Sequence, residues 1–362
     1  MKKCVFLFVM IFMLFSLSTT VFAQDTNITD ILPSETQDLL KDSGFNEISA
    51  EEILSLSPNE IFGFLIKSLK TAFDAPFISL FSICAVSLLI SLVSGIKSNY
   101  LNTEIQNTIS TVGILCVFSS FSISIVSCIK ETTEFINTTS NFIKVFVPAL
   151  SSSIYLGGQS STANNYQITM ILASEVISDL ISNVIIPLLY IFLAISVANH
   201  INSSLKLSTT LSFVKTSAVW ILSISVMIFV SLITIKGIIA AETDTLALKT
   251  GRFFIGSFVP AVGGALSEAA LTMQTGIKLI KSSSGIFGII AAVLYFIPPL
   301  IKIILYKLAL NVSSAVSEIL GVDKISIILK DLSTVFGLLI SIILSFSAVF
   351  VLSTAVIITL GV

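Results

Sequence analysis

Long apolar runs interrupted at intervals by proline constrain this chain more than anything else in it. Ala75–Ile96, Ile109–Ile129, about 169–199, Thr216–Ala241, Gly285–Asn311 and Thr334–Val362 are each long and apolar. A hydrocarbon core about 30 Å thick needs about 20 helical residues. In lipid the backbone must satisfy its own hydrogen bonds, so such runs are helices. Only 11% of the chain is charged and 54% is hydrophobic, with a mean hydropathy of +1.02. Soluble domains carry about 25% charged residues. The expectation is an all-α, polytopic membrane protein with six main spans. Runs longer than the core must tilt, kink or extend past it.

Between the spans lie two short proline-broken segments, 142–156 and 253–266. Phe146-Val147-Pro148-Ala149 recurs as Phe258-Val259-Pro260-Ala261, an offset of 112 residues. At that offset Phe142 and Ile143 fall on Phe254 and Ile255, Pro187 on Pro299, and Asn199 on Asn311. The match runs without a gap over about 109–199 against 221–311, which predicts an internal repeat. The second copy adds Gly263 and Gly264. Paired interrupted segments in two halves point to a functional centre in transport folds, so both are expected to be re-entrant or short. If they re-enter, the chain has six spans and parallel halves; if each crosses, eight spans and inverted halves.

Residues 1–23 read as a signal peptide: Lys2 and Lys3, an apolar stretch, then Val21-Phe22-Ala23 before Gln24. The mature chain is then expected to begin outside the cytoplasm. Residues 24–74 hold ten of the 21 acidic residues against three lysines. Ser34 with Gln37, Ser49 with Glu52, and Ser57 with Glu60 have capping-box spacing, and Pro58 suits a first helical turn. The third of these helices, about 58–74, is amphipathic, with Phe62, Leu65, Leu69 and Phe73 on one stripe, suited to the bilayer surface or to a partner. The domain plan is thus 1–23 signal peptide, 24–74 acidic extracytoplasmic helices, and 75–362 membrane domain.

Chemistry-bearing residues are few. Glu175 and Asp179 share a helical face, and intramembrane carboxylates mark ion or proton paths. Lys302 and Lys307, from the matching span of the repeat, are their expected partners; interfacial placement and snorkelling are the alternative. Cys4, Cys84, Cys116 and Cys128 lack CxxC spacing. The one histidine, His200, argues against a zinc or histidine-based catalytic centre. There is no P-loop, GxSxG or HExxH, so no enzyme and no cofactor are expected. A net charge of −2 leaves no nucleic-acid footprint. The candidate structural or pathway residues are Pro148, Pro260, Gly263, Gly264, Pro187, Pro299, Glu175, Asp179 and Lys302.

The signal peptide, the acidic preface, Phe258–Ala270, Pro298–Leu310 and the apolar C-terminal span together resemble the stage III sporulation protein AE family. That resemblance implies a multi-pass protein of the mother-cell membrane around the forespore. It implies a non-enzymatic part of a secretion-like channel apparatus linking the two cells. The implied partners are a cytoplasmic ATPase, ring-forming membrane proteins and the lipid bilayer. A stand-alone secondary transporter or permease, using a polar pathway built on the repeat, is the alternative.

Overall fold

A computed structural model describes residues 58–95, 103–201, 207–258 and 263–359. Every described element is helical. We number them α1 (Pro58–Gly95), α2 (Thr103–Leu156), α3 (Ser160–Leu180), α4 (Ile186–Ile201), α5 (Ser208–Phe258), α6 (Gly263–Ile319) and α7 (Asp323–Thr359). A five-residue π-turn, Ile181–Ile185, joins α3 to α4, so Ser160–Ile201 is one long rod. Among the described residues, six helices are long and apolar enough to cross a membrane.

The direction of each helix follows from its cross-contacts. Ser87 and Ser317 share a hydrogen bond (2.8 Å), and Ser91 Oγ donates to the Leu320 carbonyl, so α1 and α6 run parallel. Lys144 meets Glu175, and Ser178 meets Asn137, so α2 and α3 form an antiparallel hairpin. Phe121 packs on Phe336 and Phe142 on Phe350, so α7 runs with α2. Tyr166 bonds Thr354 near one pole, and His200 bonds Asp331 near the other. The start of α1, the α2–α3 turn and the ends of α5 and α7 therefore share one pole. The α6–α7 turn lies at the opposite pole.

Helix α7 forms the centre of the bundle, with Leu332, Phe336, Leu339, Ile343 and Phe350 fully or almost fully buried. Helices α1 and α5 are peripheral and expose large apolar side chains such as Phe81, Trp220, Met227 and Ile239. That outward apolar surface is what a lipid-facing helix requires.

Two expectations are corrected here. Residues 142–156 are no separate re-entrant segment. They are the last turns of α2, 54 residues long, and Pro148 sits inside that helix. Hydropathy alone divides this helix at its polar stretch Lys130–Asn141. That stretch stays helical because its hydroxyls bond its own backbone: Thr132 to the Cys128 carbonyl, Thr133 to Ile129 and Thr139 to Phe135. Likewise, no break separates the amphipathic helix 58–74 from the span that follows it. α1 begins at Pro58 and continues through Pro76.

The chain turns at glycine instead. After α2, Gly158 adopts φ +78°, Gln159 N–H donates to the Ile154 carbonyl, and Gly158 N–H to Tyr155. This pair of bonds, with a left-handed residue between, closes a helix end where glycine is favoured. Gly321 (φ 74°) closes α6 in the same way, through Val322 N–H to the Ser317 carbonyl. Gly263 and Gly264 open α6, whereas Pro260 lies outside the described residues. Residues 1–57, including the predicted signal peptide and the first two capping boxes, also lie outside them.

The repeated Phe146-Val147-Pro148-Ala149 string has a packing role. Phe146 is buried, stacks on Phe142 and meets Phe350 edge-on, with ring centroids 5.4 and 5.8 Å away. It fills the space over Gly288 of α6, where an added Cβ would come within 2.0 Å of the ring. Small residues permit this close approach between membrane helices.

Candidate functional site

Glu131 stands near the middle of α2, which runs from Thr103 to Leu156. Lys302 Nζ reaches it from α6, 2.7 Å from both Oε1 and Oε2. Ser127 Oγ also donates to Glu131 Oε1 at 2.9 Å, from one turn earlier. The lysine is carried one turn past Pro298 and Pro299, each of which removes a helical N–H. The α6 helix continues through both prolines, so the lysine keeps a defined position on it.

The pair borders a cavity of about 480 Å³ between α1, α2 and α6. Lys67, Ser68 and Thr71 line it from α1, Glu131 and Glu134 from α2, and Tyr295, Pro298 and Lys302 from α6. The Glu131 and Lys302 side chains are 39% and 32% exposed, so both open into this cleft instead of being sealed in the core. A cleft near mid-height with two cations and two carboxylates can hold water or a small polar solute. It can also serve as a packing seam whose charges are mutually neutralised. Ionised groups inside a membrane bundle are costly and often mark a functional site.

The other predicted residues are dispersed. Glu175 pairs with Lys144 at 3.0 Å, not with Lys302, and both side chains are outward (52% and 42% exposed). The reason is register: the α2–α3 hairpin places residue 144 beside 175, while Lys302 lies a turn-length series lower beside 131. Asp179 accepts a hydrogen bond from Asn183 within its own rod. Pro187 follows the π-turn, where the Ile186 N–H donates to the Ile181 carbonyl. Widening the helix there relieves the clash between the proline ring and the preceding turn. Pro299 lines the cleft, and Lys307 Nζ lies against Gly337.

Sequence reasoning missed three features. Glu131 reads as the end of the Ile109–Ile129 span, because the helix's continuation was not apparent. Asp244 is 3% exposed on α5 and accepts the Ser161 and Thr162 N–H groups of α3 at 2.9 and 2.8 Å. It thereby satisfies two orphan donors at a helix start and opposes the positive end of the dipole. Its signal, one of two acids in Ala240-Ala241-Glu242-Thr243-Asp244, did not distinguish it from Glu242. His200 donates from Nε2 to Asp331 (2.9 Å), which Ser196 also reaches at 2.8 Å. Serine and histidine both bond the carboxylate and not each other, so this is no nucleophile–base arrangement.

The sequence model of the stage III sporulation protein AE family matches residues 42–361. The chain is also 25% identical over 268 residues to the stage III sporulation protein AE of Bacillus subtilis (strain 168). That alignment covers 71% of this chain and 65% of the relative, under two thirds of the relative's own length. No solved structure matches.

Proposed function

We propose that this chain, which belongs to the stage III sporulation protein AE family, is a non-enzymatic membrane component of the apparatus that links mother cell and forespore. Its six long apolar helices are those of a multi-pass membrane protein. The family match over nearly the whole described chain is the observation that carries the reading. The chain sits in the mother-cell membrane around the forespore, with residues 24–57 and the α2–α3 turn outside the cytoplasm. Its partners are the cytoplasmic ATPase and ring-forming proteins of the same apparatus.

The geometry is consistent with such a role. A helix rises 1.5 Å per residue, so α2 is about 80 Å long, far more than a bilayer core requires. The long rods therefore present protein surface beyond the membrane, where soluble partners can dock.

The test is deletion of the gene in its native sporulating host. Arrest after engulfment, restored by the intact gene supplied in trans, is the expected outcome. Completed spores in the deletion strain would refute the reading. The Glu131–Lys302 cleft favours one second reading, a stand-alone transporter with a polar pathway. Solute uptake by proteoliposomes containing only this chain would support that reading instead.

A further inference from the structure

The α2–α3 turn holds a second, larger cavity of about 750 Å³. It is lined by Ser151, Ser152, Ser160, Ser161, Asn164, Asn165 and Gln167, with Tyr155 at its rim. From this chemistry we propose that it binds a neutral, hydroxyl-rich ligand: a saccharide, either free or as the head of a glycolipid.

Location is the first argument. The apolar run Thr216–Ala241 of α5 ends three residues before Asp244, which bonds the first amides of α3. The turn and its cavity therefore lie at the end of the apolar belt, beside water. The volume falls within the range of small-molecule sites.

Charge is the second. Among the described residues no ionised side chain lines the cavity. The start of α3 would ordinarily attract an anion, but Asp244 already occupies its Ser161 and Thr162 N–H groups. A phosphate would meet that carboxylate. A cation would find no acidic ligand on the lining. What remains are hydroxyls and primary amides, each able to donate and accept, as sugar hydroxyls also do. Tyr155 is 63% exposed and offers an amphipathic ring face beside them.

The third argument is an unsatisfied group. Ser151 is 3% exposed, lines the cavity, and its Oγ has no hydrogen-bond partner. Its neighbours behave differently: Ser152 Oγ donates to the Pro148 carbonyl and Ser153 Oγ to Ala149. Buried polar groups are nearly always paired, so the unpaired Ser151 hydroxyl would gain a partner if its side chain turned toward a ligand in the cavity. The pocket's chemistry does not depend on the chain's role in sporulation.

The test uses the full chain purified into nanodiscs. Saturation-transfer NMR with the N-acetylglucosamine trisaccharide reports a free saccharide. Nanodiscs containing diglucosyl diacylglycerol report a glycolipid head, through protection of the 151–167 backbone from hydrogen exchange. Either signal is expected, and either should fall at least tenfold in Tyr155→Ala and in Asn164→Ala/Asn165→Ala. Both variants change exposed or cavity-facing positions, and an unchanged thermal transition confirms that they fold. Inorganic phosphate should not compete. The proposal is overturned if neither probe binds, if the variants bind like the parent protein, or if phosphate competes.

Discussion

Lys302→Met is expected to destabilise the purified protein by about 2–3 kcal/mol. The exchange leaves Glu131 at mid-height without its cation, and an uncompensated charge inside a membrane bundle costs about that much on insertion scales. Partial exposure of both side chains into the cleft keeps the figure below that of a sealed pair. The double variant Glu131→Gln/Lys302→Met removes both charges and should recover most of the loss. The reversed pair, Glu131→Lys/Lys302→Glu, should recover part of it. Lys144→Met, which breaks the outward pair with Glu175, should cost less than about 1 kcal/mol, as exposed pairs do. Thermal unfolding of the parent, Glu131→Gln, Lys302→Met and the double variant in one detergent gives the coupling energy directly. A coupling near zero would show that the 2.7 Å contact carries no stability.

Asp244→Ala should cost about 3 kcal/mol. Two charge-assisted hydrogen bonds disappear, each worth about 1.5–3 kcal/mol, and the favourable interaction with the dipole of α3 is lost as well. Some of this returns as water reaches the vacated amides. Asp244→Asn should fall between, because its single carbonyl oxygen cannot serve both amides as two carboxylate oxygens do. Native-state hydrogen exchange provides the local readout. The Ser161 and Thr162 amides should exchange markedly faster in Asp244→Ala, while amides near His200 at the other pole keep their protection. Equal acceleration at both poles would mean that Asp244 supports the whole bundle and not this turn.

Much of the architecture is legible in the sequence. Apolar runs fix helices because lipid offers no other partner to the backbone, and six long apolar helices are what the structure contains. Pro58 stands at the start of α1, where its missing N–H costs nothing. The boundaries were less legible. A hydropathy reading breaks α2 at Lys130–Asn141, since it cannot see that threonine hydroxyls are absorbed by the helix's own carbonyls. Proline drew attention as a breaker at residue 148, yet a long helix tolerates it, and the turn falls ten residues later where the backbone needs positive φ at Gly158.

Pairing was the least legible. A cation at residue 302 implies a carboxylate, but Glu131, Glu134, Glu175 and Asp179 all qualify by composition. The choice depends on which helices run parallel and on their register, which only cross-contacts such as Ser87–Ser317 and Phe121–Phe336 reveal. The same holds for Asp244 and Ser161, 83 positions apart in the chain.

Orientation is the claim on which the proposed role and the accessibility of the turn both depend. Single cysteines at Ser160 and at Ile319, in a background with the four native cysteines replaced, report the two poles. Both positions are exposed. In intact cells an impermeant maleimide should label Ser160→Cys, and it should reach Ile319→Cys only after the membrane is permeabilised. Labelling of Ile319→Cys in intact cells, with Ser160→Cys protected until lysis, would contradict the account.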